Sequence, residues 1–150
     1  MFSAVPSLVG VSLGLTLCAL ATFIGFDRDR AFYPTITIVI ASYYALFAIM
    51  GGSIRALATE SIAIAAFLFI SIAGFRKNMW LIAGALCAHG VFDLFHGNLI
   101  ANPGVPAWWP AFCLAFDVAA GAYLASLIAR GRFVVAAGPA LDPAGRTAGR

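Results

Sequence analysis

The sequence predicts an all-α integral membrane bundle of five transmembrane helices, and three observations predict it. Of 150 residues, 63% are hydrophobic and only 10% charged, against roughly 45–50% and about 25% in soluble domains. A soluble fold this small would leave much of that apolar surface in water and would aggregate. Five apolar runs each approach the ~20 residues that a helix needs to cross a ~30 Å hydrocarbon core. Short breaks rich in charge, Gly and Pro separate the runs.

The first run covers 7–25. Residues 1–7 carry no Lys or Arg, so the basic start of a secretory signal is missing, and the run exceeds a signal's usual apolar core; a retained helix is expected. Asp27-Arg28-Asp29-Arg30 and Pro34 then lead into the second run, 35–52, which is short and carries Tyr43 and Tyr44 near its middle. Gly51-Gly52-Ser53 and Arg55 precede the third, 56–75. Arg76-Lys77-Asn78 divides it from the fourth, 79–100, and Asn102-Pro103-Gly104-Val105-Pro106 precedes the fifth, 107–129. Connections this short predict antiparallel neighbours and an up-down bundle. The transmembrane domain is expected over 1–132. The Ala/Gly/Pro-rich stretch 133–150 lacks apolar periodicity and reads as a flexible cytoplasmic tail.

Five spans put Arg28, Arg30, Arg76, Lys77, Arg130, Arg132, Arg146 and Arg150 on one side and Arg55 alone on the other. Positive loops favour the cytoplasm, so the N-terminus is expected outside and the C-terminus inside, in a multi-pass protein of a bacterial plasma membrane. Trp80 marks the inner interface and Trp108-Trp109 the outer one. The net charge of +3 is spread in ones and twos, with no basic stripe, which excludes nucleic acid as a partner. Cys18, Cys87 and Cys113 each sit in a different apolar run with no C-x-x-C spacing, and they read as small buried hydrophobes that stay unpaired.

Six acidic residues exist in all, and Glu60, Asp93 and Asp117 fall inside predicted spans together with both histidines. A charged side chain at the centre of a membrane helix costs about 2.5–3.5 kcal/mol even on lenient scales, so such groups face the bundle interior and find partners. The densest constellation is His89-Gly90-Val91-Phe92-Asp93-Leu94-Phe95-His96. At about 100° per residue, Asp93 and His96 fall within about 40° of His89, on one face, with Val91, Leu94 and Phe95 opposite.

His and Asp three or four residues apart can ligate one metal, Zn²⁺ or another divalent ion. The candidate ligands are His89, Asp93, His96 and Asp117, with Glu60 as candidate general base. His89 and His96 are about 10.5 Å apart in rise, so either one ion takes Asp93 and His96 or Asp93 lies between two ions, and both schemes need ligands from another helix. Counted from the outer ends, Glu60 lies level with His96 and Asp117 level with His89, which supplies ligands from neighbouring helices. The same residues also read as helix glue, each satisfying its partner's hydrogen bonds, or as a proton path. Haem is disfavoured because both histidines share one helix. Arg55 is an alternative partner for Glu60. Gly10-x-x-x-Gly14 and the Ala111/Ala115/Ala119 spacing permit close helix contact; Cys113, Asp117 and Gly121 form one stripe. Tyr43 and Tyr44 need hydroxyl partners.

The stretches FDRDRAFYPT (26–35) and HGVFDLFHGNLI (89–100) resemble those of a family of small bacterial multi-spanning membrane proteins whose function is uncharacterised, and the likeness would cover most of the chain apart from the tail. More loosely, the chain is similar to alkaline-ceramidase-like membrane hydrolases, which hold zinc with His and Asp on several helices. It departs from them in having fewer spans and two histidines on one helix.

Three readings stay open at this point. One is an intramembrane metal enzyme hydrolysing a lipid-like substrate. The second is a small proton-coupled transporter or channel subunit, and the third a structural or accessory membrane protein. The partners these admit are the bilayer, a lipid-like small molecule, a proton or ion, and a second copy of the chain.

Overall fold

The computed structural model describes residues 4–133, which form five α-helices: α1 (Ala4–Ile24), α2 (Phe32–Met50), α3 (Ile54–Arg76), α4 (Met79–Leu99) and α5 (Trp109–Ala129). All five are long and apolar enough to cross a membrane. Apart from Phe133, the tail expected at 133–150 lies outside the described residues.

Helix ends shift a few residues from the sequence expectation, for local reasons. Pro34, expected to end a break, lies inside the first turn of α2, where its missing N–H costs nothing. Helix α1 likewise admits Pro6 in its first turn and starts at Ala4. Gly25 turns the chain out of α1 at φ +93° and Gly52 turns it out of α2 at φ +65°, left-handed values that suit glycine. Ser53 and Asn78 cap α3 and α4, accepting from the amides of Ala56 and Trp80. Trp109, expected at the interface, is buried beneath Tyr43 and Phe47 because it occupies the core-facing side of α5; Trp108 and Trp80 are exposed.

Chain order does not set every neighbour. Helices α2, α3, α4 and α5 pack in sequence, but α1 lies along α5 and makes little contact with α2. A small-residue stripe explains the choice. Gly10, Gly14, Cys18 and Ala21 are the buried residues of α1, and a Cβ at Gly10 would stand 2.2 Å from the Phe112 carbonyl oxygen. Gly14 meets Phe116 in the same way, so the two backbones approach as only small residues allow. A cavity of about 340 Å³ is left between α1 and α2, with α5 beneath.

The two ends of the bundle differ. At one, Asp27 is buried and accepts from the Thr22 hydroxyl at 2.6 Å, Tyr123 bonds Thr22 in turn, and Arg28, Arg76 and Lys77 lie exposed. At the other, Gly104 of the α4–α5 connection packs on the end of α2 beside Phe47 and Gly51. The outward faces are apolar, with Leu13, Val39, Ile62, Phe69 and Phe95 among the exposed side chains, as suits helices surrounded by lipid.

Candidate metal centre

Helix α4 presents its polar stripe inward, where His89, Asp93 and His96 are all buried while Val91 and Phe95 face outward. The stripe stops at His96, since Gly97 and Asn98 are exposed. Gly90 sets the distance to α5: a Cβ there would already touch Leu114 and Asp117, at 3.2–3.3 Å. Gly121 does the same against Ala83 and Cys87 one turn further along. These close approaches carry Asp117 and Cys113 of α5 to the level of His89.

His89 Nδ1 lies 2.7 Å from Asp117 Oδ2, which accepts from the ring N–H, and 3.5 Å from Asp93 Oδ2. The Cys113 thiol donates to the same Asp117 oxygen at 3.6 Å. The Tyr44 hydroxyl of α2 donates to Asp93 Oδ1. Phe67 of α3 closes the group with its ring edge-on to His89, centroids 4.8 Å apart.

Nearer the α4–α5 connection, His96 Nε2 donates to Glu60 Oε1 at 2.7 Å, and the Asn102 amide donates to that oxygen at 2.9 Å and to the Tyr44 carbonyl at 3.0 Å. Arg55 is exposed and Glu60 fully buried. The two cross-helix pairs expected from depth, His96 with Glu60 and His89 with Asp117, are both formed. They belong to separate groups, joined by Tyr44.

Four residues therefore converge: His89, Asp93, Cys113 and Asp117, with one donor atom from each lying within 4.8 Å of the others. His96 and Glu60 stand outside this set. Among the described residues it is the one group of three or more His, Cys, Asp or Glu side chains so arranged. A tetrahedral ion with ~2.0–2.3 Å bonds needs donors roughly 3.3–3.8 Å apart. The separations of 2.7, 3.5 and 3.6 Å, with every pair within 4.8 Å, straddle that spacing, and an ion would take the place of the short His89–Asp117 hydrogen bond.

The electrostatics point the same way. The His89 and His96 groups together bury three carboxylates and two imidazoles, so with every acid ionised and both rings protonated a net negative charge would remain in the apolar core. Glu60 Oε2, Asp93 Oδ2 and Asp117 Oδ1 have no hydrogen-bond partner. An unpaired buried charge is costly, and a cation or added protons relieve it.

Sequence reasoning missed two participants. Cys113 reads as one more small hydrophobe in an apolar run, although its position four residues before Asp117 puts both on one face. Asn102 reads as loop punctuation, and only the fold brings it under Glu60. Tyr44 finds the hydroxyl partner it needs, whereas Tyr43 turns to Trp109. Comparison of the chain with protein-family models, with curated proteins and with solved structures returned no match. Function has to be read from the side chains themselves.

Proposed function

We propose that this chain is a multi-pass protein of the bacterial plasma membrane, an up-down bundle with its N-terminus outside and C-terminus inside, that holds a divalent cation between α4 and α5. One observation carries the reading: four fully buried donor side chains converge with carboxylate oxygens left unpartnered. Imidazole, thiolate and carboxylate together suit Zn²⁺. The orientation rests on Arg28, Arg76, Lys77, Arg130 and Arg132, set against Arg55.

The chemistry we assign is hydrolysis of a lipid-like substrate. The cavity between α1 and α2 is walled by Leu13, Leu17, Val39 and Ile40 and reaches Cys113, so an apolar chain entering from the bilayer would end beside the donor group. A bound cation there would supply a Lewis acid. His89, Cys113 and Asp117 would hold it. Asp93, oriented by the Tyr44 hydroxyl, would accept the proton of an attacking water. This assigns to Asp93 the general-base role expected of Glu60, because Glu60 is engaged by His96 and Asn102 in the next layer.

A second reading, proton-coupled transport, draws on the contiguous run Tyr44, Asp93, His89, Asp117. Against it, the fully buried Leu86, Ala120 and Leu124 fill the core with apolar side chains towards the basic end.

Metal analysis of protein purified without chelator tests the proposal. Near-stoichiometric zinc is expected, lost in His89→Ala and Asp117→Asn while both variants still insert. Wild-type protein that carries no metal, and gains no thermal stability from added Zn²⁺, would overturn it. Zinc without turnover of any lipid ester or amide would remove the hydrolytic part alone.

A further inference from the structure

A cavity of about 490 Å³ opens between α2 and α3 at the basic end, walled by Pro34 and Ile38 of α2 and by Ser71, Ile72, Phe75 and Arg76 of α3. Ser71 is the unusual member. The hydroxyls of Thr35, Thr37, Thr59 and Ser61 each donate to the carbonyl four residues back, the ordinary habit of such residues in helices. Ser71 does not: it is fully buried, and its hydroxyl has no partner.

Five residues further on, about 7.5 Å along the helix, Arg76 stands exposed at the mouth. The local acids do not neutralise it. Asp27 takes the Thr22 hydroxyl, Asp29 takes the Ala31 amide, and among the described residues neither Arg28, Arg76 nor Lys77 forms an ion pair. Arg28 lines an adjoining cavity that shares Ala31 and Thr35 with this one. The outer wall is lipid-facing, with Ile72 and Phe75 about half exposed.

We infer that this cavity binds one anionic phospholipid, its phosphate on Arg76, its glycerol ester carbonyl accepting from Ser71, and an acyl chain along Ile38 and Ile72. Arg76 stands at the mouth, with the free donor Ser71 five residues deeper. The apolar side chains of Phe75 and Ile72 on α3 and Ile38 on α2 line the wall beside them, so charge, ester donor and apolar surface lie within reach of one lipid. Basic recesses between membrane helices hold anionic headgroups by this logic. The site is separate from the donor group of α4 and α5, and stands whether or not a metal binds there.

Native mass spectrometry of the full chain, equilibrated with equimolar phosphatidylglycerol and phosphatidylcholine of matched acyl chains, tests it. One phosphatidylglycerol per chain should be retained in preference. Arg76→Gln should cut that retention about tenfold, as loss of a charge-assisted contact does. Arg76→Lys should keep most of it, and Ser71→Ala should lower it several-fold. Equal retention of the two lipids, or retention untouched by Arg76→Gln, overturns the proposal. So does displacement by millimolar inorganic phosphate, which would make free phosphate the ligand. Should Arg76→Gln misfold, Ser71→Ala decides by itself.

Discussion

The Tyr44 ring lies on His96, centroids 4.0 Å apart and 22° from parallel, while its hydroxyl donates to Asp93. One side chain from α2 thus touches both polar groups of α4.

Removing that hydroxyl separates the two roles. Tyr44→Phe keeps the stack and strips Asp93 of its neutral donor, and a buried acceptor left unmet costs about 1–3 kcal/mol. A lower melting temperature in detergent is expected, with zinc stoichiometry kept and turnover of the zinc-loaded protein reduced, because Asp93 is the oriented base and the ion rests on His89, Cys113 and Asp117. Loss of zinc in Tyr44→Phe would make Asp93 a metal ligand and remove it as the base.

Cys113 gives a spectroscopic prediction. Thiolate is a soft ligand that binds transition metals directly, so Co²⁺-loaded protein should show thiolate-to-metal charge-transfer absorption in the near ultraviolet. Cys113→Ser should abolish that band while leaving a cobalt-protein complex of reduced affinity. An unchanged band would move the thiol ligand elsewhere, with Cys87 as the neighbour to test.

Glu60 stands outside the converging donors, so Glu60→Gln should leave zinc stoichiometry intact. It should lower stability by about 1–3 kcal/mol, since the amide cannot match a carboxylate beside His96. Zinc lost in Glu60→Gln but kept in Asp117→Asn would place the ion at the His96 level instead.

Packing of α1 on α5 depends on absent side chains. Gly10→Ala would push a methyl to 2.2 Å from the Phe112 carbonyl and should destabilise by about 1–3 kcal/mol. Gly14→Ala, whose methyl would stand 3.0 Å from the Phe116 carbonyl oxygen, should cost less. Gly84→Ala meets nothing within 4 Å and should be neutral or mildly stabilising. Unfolding titrations in mixed micelles rank the three; Gly84→Ala matching Gly10→Ala would remove the packing account.

The spans were legible because apolar length and charged breaks are properties of the chain itself. So was the polar face of α4, since the spacing of His89, Asp93 and His96 fixes their side of a helix without reference to anything else. The partner of α1 was not legible. Gly10 and Gly14 announce a close neighbour but carry no mark of which helix it is, and the short connection to α2 suggests the wrong one. Cys113 escaped for a related reason: a thiol is equally at home in lipid and beside a metal, and only the Gly90 crossing brings it to His89. Asn102 depends on a loop folding back over α3, which no periodicity encodes.

The pairing of α1 with α5 has a consequence for biogenesis. Synthesis delivers α1 before the other four helices, yet the surface that receives it belongs to the last of the five to be made. Until then the Gly10–Gly14 groove faces lipid or the insertion machinery, while α2 to α4 are already free to associate. Closure of the bundle, and of the cavity wall that α1 supplies, therefore waits for synthesis of α5. A chain cut in the α1–α2 connection should still assemble from its two pieces, because α1 is held to the rest by its packing on α5, which the cut leaves intact.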